Sequence, residues 1–259
     1  MTTVDFITEL FCRVDDVMTD VPRHSQAKLT PSEIVTLALL WALKGTGQRA
    51  FWRWLTRDYQ PLFPQLPHRT RLFRLFATHQ DWTNRFLAEA GLLAVADSFG
   101  IELLHPMREG RSPTQLGAKG LSNHRWIVGV KFAVVLNAVG QIVDWDLDTA
   151  NVADNGFAPW LAEQEAVVYT DQGFHRRDGD VANLKICKRG SHNERMVVET
   201  VFSMLTVVCH FKHLRHRVWE HLTARVAATV ALFNVLTSWD GLPPDEMGRV
   251  HLSIAESSL

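Results

Sequence analysis

Cysteine is scarce. There are 3 in 259 residues, Cys12, Cys187 and Cys209, odd in number and widely spaced. That excludes a disulfide framework, argues against a cysteine-based zinc site and suits a reducing, intracellular compartment. Net charge is nearly absent, -1 at neutral pH. A wholly basic, histone-like binder is thereby excluded, although a local basic face is not. Long apolar runs are missing too. The longest, at 34–43 and 226–236, fall well short of the ~20 residues that span a bilayer, so no membrane partner is expected. The opening Met1-Thr2-Thr3-Val4-Asp5 carries no basic start and is not expected to act as a signal peptide. No internal repeat, glycine-rich phosphate loop or nucleophile elbow occurs, which argues against the common small-molecule enzymes built on those devices.

What is present suits a globular protein: 46% apolar and 21% charged residues. Nine tryptophans are a high count and read as core and interface anchors. The pattern changes near residue 90. Before it, apolar residues recur at helical spacing. Thr30-Pro31-Ser32-Glu33 is a capping box with proline at the first helical position, opening a helix that stops at Gly45. Further helices are expected over 48–59, 69–79 and 81–90, with Pro61, Pro64 and Pro67 forcing an irregular link. After residue 90 come short β-branched runs between polar turns: strands at 92–99, 166–171 and 183–188, and a hairpin of 126–136 with 141–147. Residues 105–125 read as a basic, glycine-rich loop. Helices are expected at 154–163, 194–208 and 221–239. The fold class is α/β: a mixed sheet with flanking helices at 91–259, after a small all-helical region at 1–90.

Three carboxylates stand out. Asp97 follows five apolar residues in a presumed central strand. A buried lone carboxylate is costly, so it should be paired, hydrogen-bonded or metal-bound, or else close the strand as a turn residue. Asp171 ends Ala166-Val167-Val168-Tyr169-Thr170 ahead of Gln172-Gly173-Phe174, a usual place for a site in α/β proteins and equally for a cap. Glu199 lies beside the stripe Val198, Val201, Phe202 and Leu205, with Arg195 one turn earlier, and by itself reads as a solvated pair. Together, three carboxylates could hold magnesium or manganese through oxygen ligands and support phosphoryl transfer.

These residues and their flanks resemble the DDE triad of bacterial insertion-sequence transposases. Gly129-Val130-Lys131-Phe132 resembles that family's G-x-K strand, and Thr149-Ala150-Asn151-Val152-Ala153-Asp154 its A-N-x-x-D turn. Leu29-Thr30-Pro31-Ser32-Glu33-Ile34 and Pro67-His68-Arg69-Thr70-Arg71-Leu72-Phe73-Arg74 resemble its N-terminal helical region. The resemblance covers roughly residues 28–237. It implies a ribonuclease H-like catalytic domain at 91–259, whose first and fourth strands are neighbours, and a helical DNA-binding region at 1–90. Asp97, Asp171 and Glu199 would be the catalytic metal ligands for two magnesium ions, with manganese able to substitute. The partners implied are double-stranded DNA, as terminal inverted repeats and target, and a second copy of the chain in the active complex, in a bacterial cytoplasm near the nucleoid. The implied activity is metal-dependent cleavage at the element's ends followed by strand transfer. Two positions depart from the family: His192 where a tyrosine is frequent, and Thr206 where a phosphate-contacting lysine is frequent. They keep two alternatives open, a DNA-binding protein descended from such an enzyme and a ribonuclease H-like structure-specific nuclease.

Basic residues cluster in four places despite the near-neutral total. One cluster is Lys44, Arg49, Arg53, Arg57, Arg69, Arg71 and Arg74, and another is Arg108, Arg111, Lys119, His124, Arg125 and Lys131. Lys185, Lys188, Arg189 and Arg195 precede the glutamate helix; Lys212, Arg215, His216 and Arg217 follow it. Each could be an ordinary solvated face, but together they favour a phosphate-backbone track. A helix at 69–79 could face a DNA groove. Asp144, Asp146 and Asp148 alternate as on the solvated face of an edge strand, and Asn151 and Asp154 read as helix caps. Cys209-His210-x-x-His213 has a metal-like spacing without a fourth ligand nearby, so zinc is not expected.

Overall fold

The computed structural model describes residues 2–122, 124–187, 196–212, 214–239, 241 and 254. Helices come first: α1 (Thr3–Met18), α2 (Pro31–Lys44), α3 (Gln48–Asp58) and α4 (Arg69–Thr78). Strands β1 (Leu93–Leu104), β2 (Ala118–Ser122), β3 (Arg125–Asn137) and β4 (Ile142–Thr149) follow, then α5 (Ala158–Ala162), β5 (Val167–Thr170), β6 (Leu184–Ile186), α6 (Met196–Val207) and α7 (Trp219–Thr237). No helix among the described residues is long and apolar enough to cross a membrane.

Local chemistry sets several boundaries. The Thr30 hydroxyl accepts from Glu33 N at 3.1 Å, and the Glu33 carboxylate accepts from Thr30 N at 2.6 Å, closing both ends of the capping box. Gly45 ends α2 with φ at 65°, a left-handed cap that glycine adopts without strain. The expected helix at 81–90 is instead a 3-10 turn over Gln80–Phe86. The chain leaves it early because Ala88 N donates to Ile142 O at 2.9 Å, laying the link against β4. The expected helix at 154–163 is likewise a 3-10 turn over Asp154–Phe157 followed by the short α5.

Six strands form one mixed sheet in the order β2-β3-β1-β5-β6, with β4 also on β3. β1 lies antiparallel to β3 and parallel to β5, and β5 is parallel to β6. β2 pairs with Arg125–Gly129 and β4 with the rest of β3, end to end along the same edge. The register explains why β1 runs past Asp97 and Ser98 and why part of the 105–125 loop is a strand: β3 supplies the partner groups in both cases. The close approach also explains the glycine of Gly129-Val130-Lys131. A Cβ there would sit 1.9 Å from Ile101 O.

Alternation gives the two sheet faces different partners. Val95 and Ile101 of β1, with Phe132 and Val134 of β3, join one core containing α1, α2, α4, α6 and α7. Ala94, Ala96, Ala133 and Val135 face a smaller core with Phe157 and Leu161. The main core is dense in large side chains: Leu37, Leu39, Leu40, Phe51 and Phe233 are fully buried, each worth roughly 1.5–3 kcal/mol relative to exposure. Asn234 ties α7 to the sheet. Its Oδ1 accepts from Ile142 N at 2.9 Å, and its Nδ2 donates to Phe86 O at 2.8 Å and Ile142 O at 2.7 Å.

Candidate functional site

The centre of the sheet sets the site. In the parallel β1–β5 pair, Val95 stands opposite Tyr169. The paired register ends there; Asp97 lies two residues further along β1, and Asp171 lies two residues beyond Tyr169, just past the C-terminal end of β5. Asp97 is half-buried and its Oδ1 accepts from Ser98 N at 2.7 Å. Asp171 caps the 3-10 turn Gln172–Phe174, its Oδ1 accepting from Gly173 N at 2.8 Å.

Glu199 is exposed on α6, beside the buried Val198, Val201 and Leu205. That helix covers the face that carries Asp97. Phe99, two residues along β1 and so on the same face, packs on Phe202 with ring centroids 4.5 Å apart. Phe202 lies three residues beyond Glu199, on the same side of α6. Among the described residues, no three His, Cys, Asp or Glu side chains gather closely enough to hold one metal ion.

A second polar cluster sits on the opposite face and was not legible as a unit in the sequence. Asp154 Oδ1 accepts from Lys131 Nζ at 3.0 Å and from the Ser98 hydroxyl. Lys131 is only 9% exposed, so this ion pair satisfies a nearly buried ammonium. A Cβ at Gly173 would lie 2.8 Å from Asp154 Oδ2 and 2.9 Å from Asp171 Oδ1, so the two carboxylates flank this glycine and any larger residue would displace them. Neither the 3-10 turn at Asp154–Phe157 nor α5 has a side-chain cap, and the Asp154 carboxylate is turned to Ser98 and Lys131 instead. The signal was the pairing of the Gly129-Val130-Lys131 and Asn151-Val152-Ala153-Asp154 segments, whose polar residues meet here.

The basic residues divide by environment. Arg71 and Arg74 are exposed on α4 and Arg69 half-buried, while Leu72, Phe73 and Phe76 of that helix enter the core. Lys119 pairs with Glu109 at 3.2 Å and Arg125 with Glu102 at 2.7 Å. Lys188, Arg189 and Arg195, like His192 and His213, lie outside the described residues. Two clusters far apart in sequence meet in one cleft of about 810 Å³: Arg108, Arg111 and Arg125 from one, Lys212, Arg215 and Arg217 from the other. Glu102 is the single acidic residue lining it among the described residues. The cleft reaches β1 at Glu102, five residues beyond Asp97, or about 17 Å along an extended strand.

Asp144, in the alternating acidic strip of β4, is less solvated than its pattern suggests. It accepts from Trp160 Nε1 at 2.8 Å and Gln164 Nε2 at 2.7 Å. Cys209 is buried, and burial pushes its thiol up to about 12, far from the thiolate a metal would need.

Fold and site together define a mixed α/β protein in which one of two neighbouring parallel strands carries a carboxylate, Asp97, and another, Asp171, follows directly on the end of its partner, with a basic cleft further along the central strand. Comparison with protein-family models, with curated proteins and with solved structures finds no match to this chain.

Proposed function

We propose that the chain is a DDE transposase of an insertion sequence, with a ribonuclease H-like catalytic domain. The observation that supports the reading is the parallel pairing of β1 with β5 at Leu93–Val95, which leaves Asp97 and Asp171 each two residues past the last pair, Val95 and Tyr169. It suits the neighbouring first and fourth strands of that fold if the short β2 is an addition to it. The helix bearing Glu199 covers the same face through Phe99 and Phe202. The donor chemistry fits a hard divalent cation: all three side chains are carboxylates. Asp97, Asp171 and Glu199 would hold magnesium, which when bound supplies charge stabilisation for phosphoryl transfer.

The protein's own part is positioning. Asp97 stands on the central strand, where it pairs with Val134 of β3. Asp171 is oriented by its bond to Gly173 N. Arg108, Arg111, Lys212, Arg215 and Arg217 offer charge to a DNA backbone running along the cleft. The exposed face of α4, with Arg69, Arg71 and Arg74, would meet the terminal repeats, positioned by phosphate contacts. A dimer would let both ends be cut together.

The test is cleavage of DNA carrying the sequences that flank the gene, with magnesium, manganese or EDTA. Nicking at one defined position is expected, lost in EDTA and reduced at least a thousandfold (about 4 kcal/mol of barrier) in Asp97→Asn while end binding persists. Unaltered cleavage by Asp97→Asn would remove that residue from the chemistry. Thr206, standing where the family often has lysine, favours a second reading: a DNA-binding protein descended from such an enzyme, which binds the ends and cuts in neither metal.

A further inference from the structure

A second cleft, of about 370 Å³, lies between the end of α2 and the starts of α3 and α7. It is independent of the carboxylates discussed above and of the function proposed for them. Its floor holds Arg225, which is 2% exposed. One face of that guanidinium is used structurally. Nη2 donates to Ala42 O at 2.9 Å and Nη1 to Trp41 O, the carbonyls at the C-terminal end of α2, and the Trp41 ring lies beneath at 4.8 Å. Its third nitrogen is stranded: among the described residues, Arg225 Nε has no partner. Burial pushes this guanidinium down to about 10, the mark of a positive charge short of a counter-charge.

The rest of the lining points the same way. Thr46 Oγ1 and His216 Nδ1 are also buried without partners, and both residues line this cleft. Arg215, Arg217 and His221 add positive or protonatable groups, and no carboxylate lines the cleft among the described residues. Two helix N-termini border it. Gly47 and Gln48 begin α3, Val218 begins α7, and neither helix has a side-chain cap. Uncapped first turns present free N–H groups and the positive end of the helix dipole, a ready place for an anion.

We infer that this cleft is a binding site for a tetrahedral oxyanion, a phosphate group held by Arg225, His216, Thr46 and the first turns of α3 and α7. Three unpartnered polar atoms on residues that line one cavity, with two uncapped helix starts beside it, suit a ligand that accepts several hydrogen bonds and carries negative charge. Phosphate does both. The group could arrive as free phosphate or as part of a nucleic acid.

The test is titration of the full-length protein with inorganic phosphate, followed by NMR of the arginine Nε–H resonances. A buried Nε–H exchanges slowly with water, so Arg225 should be visible, and its absence in Arg225→Lys assigns it. A saturable shift is expected, with a dissociation constant of about 1 mM or tighter, and no such shift with equal chloride. His216→Phe keeps an aromatic ring beside Trp41 and should weaken phosphate binding several-fold with its melting temperature at neutral pH near that of the wild type. This second variant keeps the test open even if Arg225→Lys does not fold. A short DNA duplex with and without 5′-phosphates separates the sources. Competition by the phosphorylated duplex alone identifies a terminal phosphate, competition by both identifies the backbone, and competition by neither leaves free phosphate as the ligand. A response to phosphate no larger than that to chloride, in wild type and variants alike, would overturn the assignment.

Discussion

His216 shows how a single buried side chain can make the whole fold sensitive to acid. Its ring packs edge-on to Trp41 at 5.8 Å between centroids. Burial lowers its pKa to about 4, with the positive charges of Arg225 and His221 adding to the effect. In the unfolded chain the imidazole returns to about 6.5. Between those values the unfolded state takes up a proton that the folded state refuses. Stability is therefore retained above about pH 6.5 and falls as the pH drops towards 4. The carboxylates held low by partners, such as Asp20 beside Arg85 and Asp58 beside Arg57, lose their contribution at lower pH. His79, also lowered by burial, acts in the same direction as His216. Comparison with His216→Phe therefore isolates the one imidazole. In phosphate-free buffer, the wild type should lose more melting temperature than the variant between pH 7 and pH 4.5, at about 2–4 °C for each kcal/mol in a chain of this size. Equal losses would show that His216 is protonated without cost in the folded protein.

At the scale of elements, what was legible depended on whether the signal was local. The capping box of Thr30 and Glu33 marks the start of α2 in sequence, and the structure shows both of its bonds. The same kind of signal opens α1, where Thr2 and Asp5 exchange bonds of 2.9 and 3.2 Å, and Phe6, Leu10, Val14 and Met18 follow at helical spacing. No helix is expected there from the sequence alone. The placement of Asp97 on a strand and of Asp171 at the end of one was legible because buried strands announce themselves as apolar runs. β2 was not, since Ala118-Lys119-Gly120-Leu121-Ser122 has little strand character and owes its form to β3. The Ser98–Lys131–Asp154 cluster escaped because register, not sequence, assembles it. Asn234 belongs to the same class: in sequence an ordinary helical polar residue, in the fold a buried link to β4. Asn234→Leu would strand Ile142 N and Phe86 O, at roughly 1–3 kcal/mol for each group left unpaired, while Ile142 O keeps its bond from Ala88 N. Urea denaturation should show a large fall in midpoint with an unchanged slope, whereas Arg74→Ala on the exposed side of α4 should shift stability by no more than about 0.5 kcal/mol. A midpoint for Asn234→Leu as high as that of the wild type would mean that those backbone groups find other partners.

Across the whole molecule, charge is sorted rather than abundant. The net charge of -1 hides a cleft lined by six lysines and arginines against one glutamate. Its members differ in how free they are. Arg125 is engaged by Glu102, whereas no ion pair involves Arg108 or Arg111 among the described residues. A cation already paired must give up its partner before it can neutralise a phosphate, so the unpaired arginines should dominate binding to a polyanion. Each phosphate neutralised on duplex DNA contributes about 0.9 to the slope of log affinity against log salt. The double variant Arg108→Gln with Arg111→Gln should therefore weaken duplex binding to a similar degree for every sequence and flatten that slope by about 2. Arg125→Gln should change the slope less, since its charge is already partly spent on Glu102. Fluorescence anisotropy with a labelled duplex across a sodium chloride series reads both quantities. An unchanged slope in the double variant would mean that DNA does not run through this cleft and would shift attention to α4. A loss of affinity for one sequence only would instead make Arg108 and Arg111 readers of base edges, contacts that discriminate bases without carrying the bulk of the electrostatic attraction.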